Sequence, residues 1–216
     1  MRGSKTDLDN AEARGAWLSC WIPGRNSIFL AWAIWGLSVT AFAAEGLRVE
    51  AVRAGSGVAV AAQATITAPL GLIWETITDY AHLSEFVPGL KASRVIARRG
   101  SSVFVEQDGE AGLLFIKIPI RVVVESAEFP PDRVTIRVLR GNLKQLEGRY
   151  VIEPDSVAGQ HVLRWSGIIE PDTVLPGFIT VPLIRISIED QFSGMVGEIE
   201  RRQTLRAKEQ LHARGN

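Results

Sequence analysis

Cysteine is almost missing. Cys20 is the only one in 216 residues, so no intrachain disulfide can form and no multi-thiolate metal site can be assembled. Histidine is nearly as scarce, with three in the chain, His82, His161 and His212, so few groups titrate near neutrality. Neither sign of charge is in excess: 24 basic side chains balance 24 acidic ones, which leaves no overall basic field to attract nucleic acid. Long hydrophobic runs are lacking too. The uncharged stretch from Ser27 to Ala43 falls slightly short of the roughly 18 to 20 apolar residues that a spanning helix needs.

That stretch still sets the first 43 residues apart. Arg2, Lys5, Arg14 and Arg25 precede it, Ile28 to Trp35 form its apolar centre, and Ala41-Phe42-Ala43 end it in the small-x-small pattern of a secretory cleavage site. The pattern predicts a leader over residues 1–43, cut before Ala44, and a secreted or periplasmic protein. An uncleaved anchor in the inner membrane, with the domain facing the periplasm, stays open as the alternative reading. Cys20 lies upstream of the cut, and its flanking order argues against lipidation because the apolar run follows it. Removing the leader takes away four basic and three acidic residues, which leaves the remainder within one charge of neutral and gives a polybasic membrane surface no support.

Beyond a short extension at 44–57, hydrophobic alternation dominates. Val58, Val60, Ala62, Ala64 and Ile66 share one parity and predict a first strand. Leu70, Ile73, Trp74 and Ile77 follow Pro69 at helical spacing. Asp79 is placed to cap a second short helix from Tyr80, and Val87-Pro88-Gly89-Leu90 has the chemistry of a type II turn. Period-two segments then recur: Lys91 to Arg99, Val103 to Asp108, Leu113 to Glu125, Arg133 to Val138, Lys144 to Ile152, and Leu163 to Ile169. Such alternation, broken by short turns, predicts an antiparallel sheet wet on one side. From Pro182, Ile184, Ile188, Phe192, Met195 and Ile199 predict a long helix that covers the dry face. Charges dominate after Glu198, so the last turns are expected to project or fray, with a tail at 212–216.

Several pieces also carry a likeness. Thr78-Asp79-Tyr80, Phe86-Val87-Pro88-Gly89-Leu90, Val105-Glu106-Gln107, Gly141-Asn142-Leu143-Lys144-Gln145-Leu146-Glu147-Gly148 and Leu175-Pro176-Gly177-Phe178 occur in that order. In this the chain resembles the START-like polyketide cyclase / coenzyme Q-binding family over about residues 58–203. The resemblance implies an α+β helix-grip domain over 58–211: a curved antiparallel sheet of about seven strands around a long C-terminal helix, with two short helices after the first strand. It also implies an internal apolar cavity. The leader departs from the coenzyme Q-binding branch and puts quinone in doubt as the ligand.

Given such a cavity, parity and helical spacing turn Trp74, Val105, Gln107, Leu114, Ile116, Ile118, Ile136, Leu146, Tyr150, Leu163, Trp165, Phe178, Ile188, Phe192 and Met195 toward it as candidate ligand contacts. Gln107, Tyr150 and Trp165 combine apolar surroundings with a polar group able to orient a ligand. Gly194 and Gly197 lie in the covering helix, where each costs about 1 kcal/mol relative to Ala, so close packing of something against that turn is expected. His161 is a candidate for acid/base chemistry at a strand end. His82 and Glu85 have a spacing that suits two metal ligands, but no third lies nearby, and neither a metal nor any other cofactor is expected.

The leading expectation is an exported binder or carrier of a hydrophobic small molecule, such as a lipid, quinone or polyketide-like compound. It includes transient contact with a membrane and no nucleic-acid partner. A polyketide cyclase or dehydratase is the alternative, and an interaction module with a filled core is a second.

Overall fold

The computed structural model describes residues 46–113, 115–173 and 175–215, the side chain of Ile116 excepted. The expected leader, its cut before Ala44 and Cys20 lie outside the described residues. Among those described, no helix is long and apolar enough to cross a membrane.

The elements run β1 (Arg48–Ala54), β2 (Gly57–Ile66), α1 (Leu70–Ile77), α2 (Leu83–Phe86), β3 (Leu90–Arg99), β4 (Ser102–Leu113), β5 (Ile116–Phe129), β6 (Arg133–Gly141), β7 (Leu143–Pro154), β8 (His161–Pro171) and α3 (Gly177–Gly215). The strands form one antiparallel sheet in the order β1-β2-β8-β7-β6-β5-β4-β3. Long helix α3 touches β1 and β2 along one margin and β4 along the other, so the sheet curves around it. This is the α+β helix-grip arrangement.

The sheet has eight strands where the sequence predicts about seven. The extra one is β1, taken from the stretch read as an extension. It pairs with β2 from Arg48↔Gln63 to Ala54↔Gly57. Only Leu47, Val49 and Ala51 pack on the core from this stretch, and so short and small an apolar set gives little periodic signal. On β2 the predicted parity holds without exception, since Val58, Val60, Ala62, Ala64 and Ile66 are all buried.

Two helix boundaries differ from expectation. The second short helix begins at Leu83, not Tyr80, and its N-cap is His82 without a side-chain cap bond. Asp79 instead accepts from the His82 ring at 2.6 Å and from Arg202 at 2.8 Å, so ion pairing has displaced capping. Helix α3 begins at Gly177, which leaves Pro182 inside it. Pro182 cannot donate to the Phe178 carbonyl, and Phe178 is 80% exposed, so water can take the place of that donor. At the other end the helix continues through 215, His212 included, with its last turns exposed.

The Val87–Leu90 turn forms as predicted: Leu90 N–H donates to the Val87 carbonyl at 3.2 Å, and Gly89 has φ +80°, a conformation that only glycine adopts readily. A Cβ there would also meet the Glu110 carbonyl oxygen at 2.7 Å. The turn therefore fixes α2 against the far half of β4, where the cavity lies.

Candidate functional site

Between α3 and the middle strands the packing leaves a cavity of about 220 Å³. Its walls come from nearly every element. Ile77, Leu83 and Val87 close one side from the short helices, Val122, Val124, Ile136, Leu146 and Ile169 form the sheet floor, and Ile184, Ile188 and Met195 form the helix roof. Strand parity explains the floor, because β5, β6 and β7 each alternate and only one parity faces α3. At the aromatic end Tyr150 stacks on Phe192 with ring centroids 6.4 Å apart and an interplanar angle of 9°, and Trp165 lies tilted 6.5 Å from Tyr150. The indole has room because Gly148 and Gly167 face each other beneath it: a Cβ on Gly148 would come within 2.9 Å of the ring.

Polar groups in the wall are few. Among the described residues they are Tyr80, Gln107, Glu110, Ser126, Tyr150, Trp165, Ser187 and Gln191. Glu110 is neutralised at the rim, accepting from Lys117 Nζ at 2.8 Å and Lys91 Nζ at 2.7 Å, and these bonds pull its carboxyl down to about 2. Burial pushes the Tyr150 phenol up to about 12. Burial raises the Tyr80 phenol as well, with the Glu128 carboxylate adding to the effect. Both phenols are therefore protonated at neutral pH and act as hydrogen-bonding groups. Glu128 is itself paired with Arg98 at 3.6 Å.

The cavity wall contains eight of the residues that the sequence singles out: Gln107, Ile118, Ile136, Leu146, Tyr150, Trp165, Ile188 and Met195. Gln107 keeps the inward parity of Val103 and Val105, with no bulge between them in its pairing with β5. Val105, Leu163 and Phe192 are buried in the core around the cavity, outside its lining. Trp74 packs half-buried against that core and does not line the cavity. Phe178 does not reach inward, since the helix starts earlier than Pro182 and carries it to the surface. Leu114 and the Ile116 side chain lie outside the described residues.

His161 is not in the wall. Its Nδ1 donates to the Ala68 carbonyl at 2.9 Å, tying β8 to the loop before α1. His82 is committed to Asp79, and among the described residues no group of three His, Cys, Asp or Glu side chains is placed to hold a metal ion.

Sequence reasoning missed Tyr80, Ser126, Ser187 and Gln191. Ser126 continues the even parity of Val122 and Val124, while Ser187 and Gln191 lie three and seven residues after Ile184. The spacing is present in the sequence, but a period counted on apolar side chains alone passes over them.

The fold is shared with solved structures at low identity. A STAR-related lipid transfer protein from Xanthomonas axonopodis superposes with a TM-score of 0.59 at 14% identity, over 73% of this chain and 95% of that one. The Zhui aromatase/cyclase from Streptomyces sp. R1128 gives 0.56 at 13% identity, over 72% and 96%. A protein from Thermus thermophilus gives 0.57 at 17%, over 67% and 98%. No curated protein matches by sequence. The sequence model of one family, described as polyketide cyclase / dehydrase and lipid transport, matches residues 57–203. With its helix-gripping sheet and an apolar cavity under the helix, the chain belongs to the polyketide cyclase / dehydrase and lipid transport family.

Proposed function

We propose that the protein binds or carries a hydrophobic small molecule in the cavity under α3, and that it does so outside the cytoplasm with residues 1–43 as its leader. The observation that carries the reading is the cavity wall itself. It is aliphatic and aromatic over most of its extent, and its one carboxylate among the described residues, Glu110, is already held by two lysines. Burial of apolar ligand surface, at about 25 cal/mol per Å², is the driving force such a wall supplies, and the sparse neutral polar groups orient the ligand. The lipid transfer protein and the aromatase/cyclase that share the fold are consistent with an apolar ligand of either kind. Proton-transfer chemistry finds little support among the described residues. His161 is engaged outside the cavity, Glu110 stays ionised well below neutral pH, and both cavity phenols hold their protons.

Native mass spectrometry of the full-length gene product, purified from its producing cells and followed by solvent extraction, tests the reading. A co-purifying apolar compound is expected. Empty protein that also ignores a panel of lipids and quinones overturns it. N-terminal sequencing of the same material tests removal of the leader, with Ala44 the expected first residue and an intact Met1 end the contrary result.

A further inference from the structure

Two hydroxyls in the cavity wall are buried without a hydrogen-bond partner among the described residues, Tyr80 Oη and Ser187 Oγ. Native proteins rarely leave such groups unsatisfied, because each lone buried hydroxyl is destabilising. Three helical threonines, Thr76, Thr180 and Thr204, are satisfied locally, each donating to the carbonyl four residues earlier. Ser187 is not. Tyr80 is only 4% exposed and is one of the residues that line the cavity, and Ser93 Oγ pins its backbone by donating to the Tyr80 carbonyl at 2.6 Å. Ser126 and Glu128 lie close enough to that phenol to act on its proton, but in this arrangement neither is aligned to complete a hydrogen bond with it.

The charge of the surroundings narrows what can satisfy these hydroxyls. Among the described residues the cavity lining contains no Lys, Arg or His. The acidic neighbour of Tyr80, Glu128, is paired with Arg98. A carboxylate or phosphate brought inside finds no free cation in that lining, and burial of an unpaired charge is strongly unfavourable. Size narrows it further. A dry cavity of about 150 Å³ holds benzene. On that scale 220 Å³ takes about nine or ten non-hydrogen atoms, a fused bicycle and far less than a two-chain lipid.

Granted the carrier reading, we propose that the cavity selects an uncharged, compact ring compound bearing a hydroxyl or carbonyl oxygen, with Tyr80 Oη donating to that oxygen and Ser187 Oγ meeting a second polar edge. The two unpartnered hydroxyls are thus half of a hydrogen-bonding pattern that the ligand completes.

The test titrates full-length protein with naphthalene, 2-naphthol and 2-naphthoate at neutral pH, where the second is neutral and the third ionised. Wild type is expected to bind 2-naphthol about three- to tenfold more tightly than naphthalene, as one neutral hydrogen bond provides, and 2-naphthoate at least about tenfold more weakly than 2-naphthol. In Tyr80→Phe the advantage of 2-naphthol over naphthalene should shrink, and the ligand-free variant should melt no lower than wild type. Ser187→Ala keeps the comparison readable if Tyr80→Phe folds poorly, and should shrink the same ratio. Naphthoate binding as tightly as naphthol, or a 2-naphthol advantage that survives both substitutions undiminished, overturns the proposal while leaving a carrier in place. Indifference to all three probes overturns the proposal and counts against the carrier reading itself, so the two failures are told apart.

Discussion

Gly194 and Gly197 sit three residues apart on α3 and respond to the same substitution in opposite directions. At Gly194 a Cβ would overlap the Phe86 carbonyl oxygen and press on the Pro88 ring, so the close packing expected there exists, but against the end of α2 and its turn, with no ligand involved. Gly194→Ala is expected to destabilise the protein by about 1–3 kcal/mol through overpacking. Gly197 is exposed, and nothing outside its own helix lies within 4 Å. Nothing in the structure explains glycine at this position. Gly197→Ala should stabilise by about 0.5–1 kcal/mol, the ordinary helix-propensity difference. Urea denaturation of the two variants beside wild type checks both signs. Equal effects at the two sites would contradict this account of the contact with α2.

At the scale of elements, α1 and α2 are held to α3 by charge as well as by packing. Arg202 donates to Asp79 at 2.8 Å and to Glu198 at 2.6 Å, and its guanidinium lies over the Phe86 ring at 5.5 Å; Arg206 donates to Glu75. Partial burial opposes the charged form of Asp79, but hydrogen bonds from His82 and Arg202 outweigh it and hold the carboxyl below its ordinary value of 3.8. Bonds from Arg201 and Arg202 likewise hold Glu198 below 4.5. These groups contribute stability above those ordinary values, and the contribution is lost as pH falls through the lowered folded values. Asp79 raises the His82 ring above its ordinary 6.5, so that contribution is complete below 6.5 and is lost as pH rises through the raised value. Asp79→Asn should therefore flatten the melting-temperature profile at both margins, acid and just above neutral. An unchanged profile would show that the network adds nothing to holding the helices. The effect is small, since partly exposed ion pairs contribute at most about 1 kcal/mol.

The same elements show what a sequence can reveal. Strand parity was legible wherever apolar residues alternate over five or more positions, as on β2, and the α3 core face was legible from the spacing of Ile184 through Ile199. β1 was not, because Val49 and Ala51 are too few and too small to set a period. Arg202 is a clamp on Asp79, a partner 123 residues away that no local pattern exposes. Tyr80, Ser126 and Ser187 were hidden for a different reason: a polar side chain on an apolar face looks like noise until a cavity gives it something to face.

For the molecule as a whole, the cavity is a liability in the ligand-free state. Left empty, 220 Å³ forgoes the packing contacts that a filled core would supply. A protein whose role is only to present a surface gains nothing from such a void, whereas a carrier requires it. Ser187→Leu separates the two cases, because it places a branched aliphatic side chain on a residue that lines the cavity and whose hydroxyl has no partner among the described residues. If the void is real space held for a ligand, the ligand-free variant should melt higher than wild type, by an amount equivalent to about 1–2 kcal/mol, while 2-naphthol uptake falls by at least about tenfold. If the interior is instead already filled, the added carbons can only overpack it, and the variant should lose about 1–3 kcal/mol without any change in ligand uptake to accompany the loss. The opposite signs of the stability change make a thermal melt, read beside a single 2-naphthol titration, sufficient to decide between a container and a solid core.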